Sequence, residues 1–358
     1  MKKSILFLIV FMAAIGILAG SVTAFAKDAA KIKIGISMPT LQEERWKKDE
    51  AMFKERLMQL GVQEKNILIQ SANGDEQKQV SQSENLITQG VDALIIIPQN
   101  GEACAPIVKS AHEAGVKVVA VDRIINNPDL DFYVTFDAYE IGVIQGEYIA
   151  KLSQSGNWIM VGGAPTDPNA ALIRNGQLSI IKPFIDSGAV KVVLDQPANY
   201  WNPADALKAV EVGLTKANND VQVVFTSNDG CAGAAIEALA EQGLAGKVPV
   251  PGLDADLAAC QRIMQGTQSM TVYRKLYMQA DYAAQAAYAL ALGDDPKKYL
   301  DVEVTLKDGK VPAIMLKSRE VMFAVDKTNM KVVVDDGWLK ADDIFKPLDK
   351  SLWPDWYK

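Results

Sequence analysis

The chain has almost no histidine: His112 is the single one among 358 residues. A zinc site with several imidazole ligands therefore cannot be built, and a Ser-His-Asp triad would have to use this one residue. Basic residues are also in deficit, with 37 lysines and arginines against 44 acidic residues and a net charge of −7. Nucleic acids and anionic membranes select the opposite balance, so we expect neither as a partner.

Cysteine is scarce as well. Cys104, Cys231 and Cys260 are odd in number and show no C-x-x-C spacing, which is not the pattern of a disulfide framework. Buried free thiols are the favoured interpretation, because a free cysteine behaves as a small apolar residue. A Cys104–Cys260 or a Cys231–Cys260 bridge stays open at this point, since pairing depends on geometry.

The N-terminus has the pattern of an export signal. Two lysines precede an almost unbroken apolar run over 5–18, and Ala24-Phe25-Ala26 fits the small-x-small site of signal peptidase. We predict a signal peptide over residues 1–26, cleaved after Ala26, and a periplasmic mature protein. An uncleaved anchor is less favoured because the apolar run is short. A lipoprotein is not expected, since no cysteine lies near the cleavage site.

After the signal, short aliphatic runs alternate with helix-like stretches of 10–15 residues, which indicates βαβ units and a doubly wound α/β fold. The strands are too many for one sheet, so two such domains are expected. The predicted strands are 31–37, 67–70, 93–97, 117–121, 132–136, 157–161, 191–194, 221–226, 247–250 and 270–272. Shorter β-like pieces follow at 302–306, 313–317 and 331–334.

Polar and aromatic residues follow these strands, where an open α/β sheet binds its ligand. Asp, Asn and Arg present paired donors or acceptors that bridge adjacent hydroxyls, and Trp covers the apolar face of a sugar ring. A neutral polyol needs both, and no cofactor or metal. The candidates are Arg45, Trp46, Asp122, Arg123, Asn169, Trp201, Asn228, Asp254 and Arg274, with Arg174 and Asp137 ranked lower.

Each candidate also has a purely structural interpretation. Four of them could cap the helices that follow, namely Asp122, Asn169, Asn228 and Asp254. The arginines could form weak surface ion pairs, and Trp46 could belong to the core of its helix. Occurrence on successive strand ends of both half-chains favours the site.

Three further features are ambiguous. Arg174 could contact the ligand or only orient Asp122. Asp254 and Asp256 suggest a cation site, but spacing places no third oxygen ligand, so solvated carboxylates are favoured. Gly162-Gly163 is a weak phosphate-loop signal, since neither a G-x-G-x-x-G pattern nor a Walker lysine follows.

Several motifs occur in a fixed order between Lys31 and about Gly337. They are E-R-W-K-K-D (44–49), Q-S-A-N-G-D-E (70–76), I-I-P-Q-N-G (96–101), V-D-R-I-I-N (121–126), S-N-D-G (227–230), L-D-A-D-L-A (253–258) and G-T-Q-S-M-T-V-Y (266–273). Together they resemble the D-xylose-binding proteins of bacterial ABC transporters. The resemblance covers nearly all of the mature chain.

The resemblance implies a type I periplasmic-binding-protein fold, with two Rossmann-like lobes joined by three hinge segments. One lobe would hold 31–136 plus 275–312, and the other 137–274 plus 313–358. The crossings would lie near Phe136-Asp137, Arg274-Lys275 and Val311–Met315.

The resemblance also implies roles for the candidates. Trp46 and Trp201 would sandwich the sugar ring, and Arg274 stands where the family has a lysine. Arginine is planar and longer, which bears on the exact sugar and not on the binding class. The hydroxyls would be bound by Arg45, Asp122, Arg123, Asn169, Asn228 and Asp254.

The sequence therefore predicts a monomeric receptor, not an enzyme, that binds a monosaccharide and delivers it to an ABC permease by hinge closure. D-xylose is the first candidate ligand. Glucose or another pentose stays open, as does sugar sensing through a chemoreceptor or a sensor kinase. An enzyme on the same scaffold is the least favoured, because no base–nucleophile pair is positioned.

Overall fold

The computed structural model describes residues 28–298, 300, 305–307 and 311–358. The predicted signal peptide, with its cleavage site after Ala26, lies outside these residues, as do 302–304 of a predicted β-like piece. None of the helices within the described ranges is long and apolar enough to cross a membrane.

The first half of the chain alternates strands and helices as predicted. Strands β1 and β3 are buried at every residue, which explains their continuous aliphatic sequence. Helix α1 buries Trp46, Phe53 and Leu57 on one face, and Gly61 follows its end with φ +98°. The elements are β1 (Ile34–Met38), α1 (Glu44–Gln59), β2 (Ile67–Ser71), α2 (Glu76–Thr88), β3 (Ala93–Ile96), α3 (Ala105–Glu113), β4 (Lys117–Val121) and β5 (Phe132–Phe136).

The second half repeats this alternation and then adds shorter elements. The repeated part comprises α4 (Ala138–Leu152), β6 (Gly156–Gly162), α5 (Pro168–Asp186), β7 (Val190–Pro197), α6 (Pro203–Lys216), β8 (Val223–Thr226), α7 (Asp229–Glu241), β9 (Pro251–Leu253), α8 (Leu257–Gln265) and β10 (Met270–Arg274). The added part comprises α9 (Leu276–Leu292), β11 (Thr305–Lys307), β12 (Val311–Leu316), β13 (Met322–Val325), α10 (Lys331–Asp335) and α11 (Ala341–Phe345).

The strands of the described residues form one large sheet and two small ones. The large sheet has the order β11-β12-β5-β4-β3-β1-β2, and the small ones are β7-β6-β8 and β13-β10-β9. The small sheets lie edge to edge, because Val224 N donates to Pro249 O at 3.1 Å and Thr226 Oγ1 donates to Pro251 O. Both halves therefore have the same order of their first five strands, and the doubly wound fold class is confirmed.

Two predicted elements differ in the structure, and one strand was not predicted. The strand expected at 247–250 begins instead at Pro251, because β10 sets the register by pairing Met270 with Pro251. The β-like piece at 331–334 is helix α10, whose Val333 is buried in the core. Strand β13 was not predicted; it pairs with β10 in antiparallel orientation.

Helices α4 and α5 contact each other backbone to backbone. A Cβ on Gly142 would lie 2.0 Å from Ile173 O, and a Cβ on Gly176 would lie 2.0 Å from Tyr139 O. Only glycine permits this approach, which fixes α5 against α4. The N-terminus of α5 is one wall of the site described below.

The chain passes between the sheets of the two halves three times: after β5, after β10 and between β12 and β13. Strand β12 stays paired with β5 as far as Leu316. Two hydrogen bonds tie the passages together, from Asp137 N to Leu316 O at 3.0 Å and from Lys275 N to Val321 O at 2.9 Å. The three connections therefore lie side by side.

All three cysteines are free and buried, so the bridges that the sequence left open are not formed. Burial raises the pKa of Cys104 and of Cys231 to about 12, and it raises the pKa of Cys260 well above its usual value. The interpretation as buried free thiols is confirmed.

Candidate ligand-binding site

A cavity lies where the carboxyl ends of the strands in the two halves face each other. The space free of protein atoms is about 450 Å³, part of it open to solvent. Every candidate ranked first in the sequence lines it: Arg45, Trp46, Asp122, Arg123, Asn169, Trp201, Asn228, Asp254 and Arg274.

Asp122 is the charged centre of the cavity. Its Oδ2 accepts hydrogen bonds from Arg45 Nη2 at 2.5 Å and from Arg274 Nη1 at 3.2 Å. Burial alone would raise the pKa of Asp122, but the two guanidinium groups outweigh it and hold the pKa well below its usual range. Asp122 is therefore ionised, and its carboxylate is bonded to an arginine from each half of the chain.

The backbone of Asp122 is held in an unusual conformation. Its φ is 62°, in the left-handed region that costs a non-glycine residue about 1–3 kcal/mol. Its carbonyl oxygen accepts from Tyr133 Oη at 2.8 Å, Thr135 Oγ1 at 2.9 Å and Asn169 Nδ2 at 3.0 Å. Donors from β5 and α5 thus fix the carboxylate at the end of β4.

Asp254 is the second acid at the centre. Its Oδ1 accepts from Arg274 Nη2 at 2.5 Å and lies 3.9 Å from Arg45 Nη1. The side chain is buried and its φ is 104°, so the expected solvated carboxylate is wrong for this residue. The reason is its position at the end of β9, beside the arginine that ends β10.

Arg45 has further partners behind the cavity. Its Nη2 donates to Gln279 Oε1 at 3.3 Å, and its Nε lies 3.3 Å from Asp49 Oδ2. Burial raises the pKa of Asp49 to about 6, although Arg45 opposes that shift. Arg45 is thereby fixed from α9 and from its own helix, and is not the surface ion pair considered as an alternative.

Trp46 lies beneath two of the arginines. The Arg45 guanidinium carbon is 4.1 Å from a Trp46 ring centroid, and that of Arg123 is 5.2 Å away. Trp46 is only 2% exposed and also packs in the main core. Trp46 therefore belongs to the core and also lines the cavity.

Trp201 closes another side of the cavity through Asp167. Asp167 Oδ2 accepts from Trp201 Nε1 at 3.1 Å and lies 2.7 Å from Arg123 Nε. A Cβ on Gly163 would lie 2.2 Å from the Trp201 ring, so this glycine makes room for the indole. Gly162-Gly163 thus precedes a wall of the cavity and does not form a phosphate loop.

The capping interpretation holds for one candidate only. Asn228 Oδ1 accepts from Cys231 N at 3.0 Å and caps α7 while lining the cavity. Helix α5 is capped by Asp167, which accepts from the backbone of Asn169 at 2.9 Å. Asp122 precedes a loop, and Asp254 is not the cap of α8.

The two lower-ranked candidates do not line the cavity. Arg174 pairs with Asp195 and donates to Gln177 Oε1 at 3.2 Å; it does not orient Asp122. Five residues along a helix turn a side chain by about 140° from Asn169, so Arg174 faces β7. Asp137 caps α4 by accepting from Glu140 N at 3.1 Å.

Several lining residues do not follow a strand and were not predicted from the sequence. Thr135 and Phe136 lie inside a strand and not after it, and Asp167 precedes helix α5 in a D-P-N sequence that is typical of a helix N-cap. Glu43 lies in the loop after β1; burial raises its pKa, while Arg123 opposes the shift. The remaining ones are apolar: Ala138, Ile141, Ile173 and Leu253.

The charges of the cavity nearly cancel. Arg45, Arg123 and Arg274 face Asp122, Asp167, Asp254 and Glu43, and the raised pKa of Glu43 weakens its contribution. Such a lining suits an uncharged ligand with many hydroxyl groups. Within the described ranges, no group of three or more His, Cys, Asp or Glu residues is arranged to hold a metal ion.

Comparisons with known proteins agree over most of the chain. A family model described as a periplasmic binding protein domain matches residues 34–295. The D-xylose-binding periplasmic protein of Escherichia coli is 43% identical over 323 residues, which covers 90% of this chain and 95% of that protein. Its counterpart in Haemophilus influenzae is 42% identical over 331 residues, covering 92% and 97%.

A solved structure also matches. The carbohydrate transporter solute binding protein from Chloroflexus aurantiacus, in complex with D-glucose, superposes with a TM-score of 0.77 and 31% identity. The match covers 87% of this chain and 98% of that one, so it includes both halves.

Proposed function

Since the chain belongs to the periplasmic binding protein domain family, we propose that it is an exported receptor for one monosaccharide, D-xylose, which it delivers to an ABC permease. The relatives named as D-xylose-binding proteins, at 42–43% identity, support this ligand. The cavity carries the proposal, because it combines balanced charges with two tryptophans and is built from both halves of the chain.

The geometry suits a small neutral sugar. Carboxylate oxygens of Asp122 and Asp254 accept from sugar hydroxyls, while the arginines donate to hydroxyl or ring oxygens. The indoles of Trp46 and Trp201 supply apolar surface for the carbon skeleton. A site built to bind hydroxyls discriminates strongly against analogues that lack them.

We propose that closure of two lobes traps the sugar. The lobes follow the predicted 31–136 plus 275–312 and 137–274 plus 313–358, except that 313–316 belong to the first lobe, because β12 pairs with β5 as far as Leu316. The three connections between the halves lie side by side, which supports a common hinge. A ligand bound by both lobes at once stabilises the closed arrangement by its differential affinity for it.

The same proposal includes periplasmic export, with cleavage after Ala26, and a receptor that performs no reaction. The described residues that line the cavity include no serine, cysteine, histidine or lysine, and the Thr135 hydroxyl is bonded to Asp122 O. A hydroxyl, thiol or amine nucleophile with an adjacent base is therefore not assembled among them, and the Asp122 and Asp254 carboxylates are bonded to arginines. A monomeric state and a chemoreceptor or sensor kinase as a second partner belong to the proposal as well.

Calorimetric titration of the mature protein tests the ligand. We expect one site per chain for D-xylose, with weaker binding of D-ribose, L-arabinose and D-glucose. Tighter binding of D-glucose would favour the second candidate, a glucose receptor, which the D-glucose complex at 31% identity supports. Silence from every pentose and hexose would overturn the receptor. In the Asp254→Ala variant, a change below about 1 kcal/mol in sugar affinity would contradict the site.

A further inference from the structure

A further contact between the two halves lies outside the cavity around Asp122. Glu44 Oε2, on α1, accepts a hydrogen bond at 3.1 Å from Leu257 N, at the start of α8. Helix α1 belongs to the first lobe of the proposed division, and α8 belongs to the second. Glu44 and Leu257 do not line the cavity, and the Glu44 side chain is 35% exposed. This contact therefore joins the lobes without reaching the ligand.

Glu44 caps α8 from the opposite lobe. Asp256 precedes this helix, but its side chain makes no capping hydrogen bond. The first N–H groups of a helix have no partner within it and carry a partial positive charge, so they favour an anionic acceptor. The carboxylate of Glu44 meets this requirement only while the lobes are together.

Lys48 adds a second contact from the same face of α1. It lies four residues after Glu44, and its ammonium is 2.8 Å from Glu44 Oε1. The same ammonium donates to Trp338 O at 3.2 Å and lies 3.9 Å from the centroid of the Trp338 ring. A cation over an indole is attracted by the negative face of the ring. Lys48 therefore ties α1 to Trp338.

Trp338 in turn is bound to the second lobe beside the sugar cavity. Its Nε1 donates to Ala255 O at 2.9 Å. Ala255 directly follows Asp254, which lines the cavity, and the two residues have φ of 52° and 104°. Strained backbone of this kind persists where the surrounding structure fixes it. The contacts of Glu44 and Lys48 thus end one residue away from an acid of the site.

The charge of Asp256 opposes these contacts. Burial raises the pKa of Asp256, and repulsion from nearby carboxylates, Glu44 among them, adds to the shift. Protonation of Asp256 removes this repulsion, and Lys48 compensates the charge of Glu44 directly. Attraction therefore outweighs repulsion where the lobes meet.

We propose that Glu44 and Lys48 form an interlobe latch with Leu257 N and Trp338, which holds the receptor closed without contacting its sugar. The inference rests on the proposed function, since closure has a role only if a sugar is trapped. The latch stabilises the closed form by the same amount whichever sugar is bound. It therefore raises the affinity for every sugar by one common factor and slows the release of the bound sugar.

Calorimetry and stopped-flow tryptophan fluorescence with D-xylose and D-glucose test the latch. We expect Glu44→Ala and Lys48→Met each to weaken binding about fivefold, by the same factor for either sugar that binds. Faster dissociation should account for the loss, with association within about twofold of the wild type. Lys48→Arg keeps a cation over the Trp338 ring and should restore slow dissociation.

Lys54→Met is the matched control. Lys54 also lies on α1 and pairs with Glu64 at 2.6 Å, but this pair stays within the first lobe and both side chains are exposed. Circular dichroism checks that each variant is folded. Affinity and dissociation rate should equal those of the wild type in this control.

The outcomes separate the two proposals. If the wild type binds a sugar and either Glu44→Ala or Lys48→Met binds it as tightly as Lys54→Met does, the latch is overturned and the receptor stands. Weaker binding that arises from slower association alone would also overturn the latch, because it would show damage to the open cavity. Failure of the wild type to bind either sugar would overturn the proposed function itself.

Discussion

Arg274 Nη1 lies 3.2 Å from Asp122 Oδ2, although Arg274 ends a strand of the second half and Asp122 follows a strand of the first. Arg45 reaches the same oxygen at 2.5 Å. One buried carboxylate is therefore bonded to two guanidinium groups, each of which has a second acidic partner, Asp49 for Arg45 and Asp254 for Arg274. Removing its charge leaves both arginines undercompensated, which is more costly than losing one ordinary hydrogen bond.

Asp122→Asn is expected to weaken sugar binding at least about tenfold, because hydrogen bonds to a charged group contribute about 1.5–3 kcal/mol. Calorimetric titration with D-xylose measures the change, and circular dichroism checks that the variant is folded. Asp195→Asn is the matched control: its carboxylate pairs with Arg174 outside the cavity and is half exposed. Equal affinities in the two variants would contradict the central role of Asp122.

Gly163→Ala is expected to displace the Trp201 indole, since the new methyl group would lie 2.2 Å from a ring carbon. We expect about tenfold weaker sugar binding and an altered tryptophan fluorescence response. Gly162→Ala is a close control, because a Cβ there meets nothing nearer than 3.6 Å. If both alanine variants bind the sugar like the wild type, Trp201 does not form a wall of the site.

Stability is expected to fall as pH rises, because of a buried acid pair beside the cavity. Burial raises the pKa of Asp229 and of Asp256; repulsion from Asp254 adds to the shift of Asp229, and repulsion from Asp229 and Asp254 adds to the shift of Asp256. The folded protein therefore binds more protons than the unfolded chain above the ordinary carboxyl pKa of 3.8. The free energy of unfolding then decreases with pH, by up to about 1.4 kcal/mol per pH unit for each excess proton.

Urea unfolding of the wild type and of Asp256→Asn from pH 5 to pH 8 measures this dependence. The asparagine removes one charge of the pair, so we expect a shallower slope and about 1 kcal/mol more stability at pH 8. The Asp256 side chain does not cap α8, so little else is lost. Asp186→Asn, at an exposed pair with Lys182, should keep the wild-type slope. Identical slopes in all three proteins would refute the explanation.

The thiols are expected to be unreactive in the folded protein. Cys104, Cys231 and Cys260 are buried, and burial raises the pKa of each, so the reactive thiolate is scarce at pH 8. Titration with a thiol-specific chromogenic reagent should detect almost no thiol before unfolding and three per chain in denaturant. Rapid labelling of the native protein would show that at least one cysteine is accessible.

Residues directly after strands line the cavity because parallel strands bring their carboxyl ends to one edge of a sheet. The strand-end rule worked for Asp122 and Asp254, which lie directly after β4 and β9. It failed for Arg174, whose position on the helix turns it away from Asn169, and for Thr135, which lies inside a strand. Side-chain direction on an element is fixed by its register and packing, which local patterns do not contain.

The lack of tertiary information in local patterns also explains the two strand predictions that were wrong. The apolar residues at 247–250 gave a strand signal, but the pairing of Met270 with Pro251 decides where β9 begins. The valines at 332–334 favour a strand locally, yet Val333 is buried as part of a short helix. Tertiary contacts override weak local preferences most readily in elements of three to five residues.

Because the charges inside the cavity nearly cancel, the ionic strength of the surroundings should have little effect on sugar binding. The three arginines and their acidic partners are already neutralised by one another, so they attract few mobile ions. Binding a neutral sugar there neither releases nor takes up counterions. The affinity for the sugar should therefore stay almost constant between low and high ionic strength. Surface ion pairs, by contrast, are screened at high ionic strength.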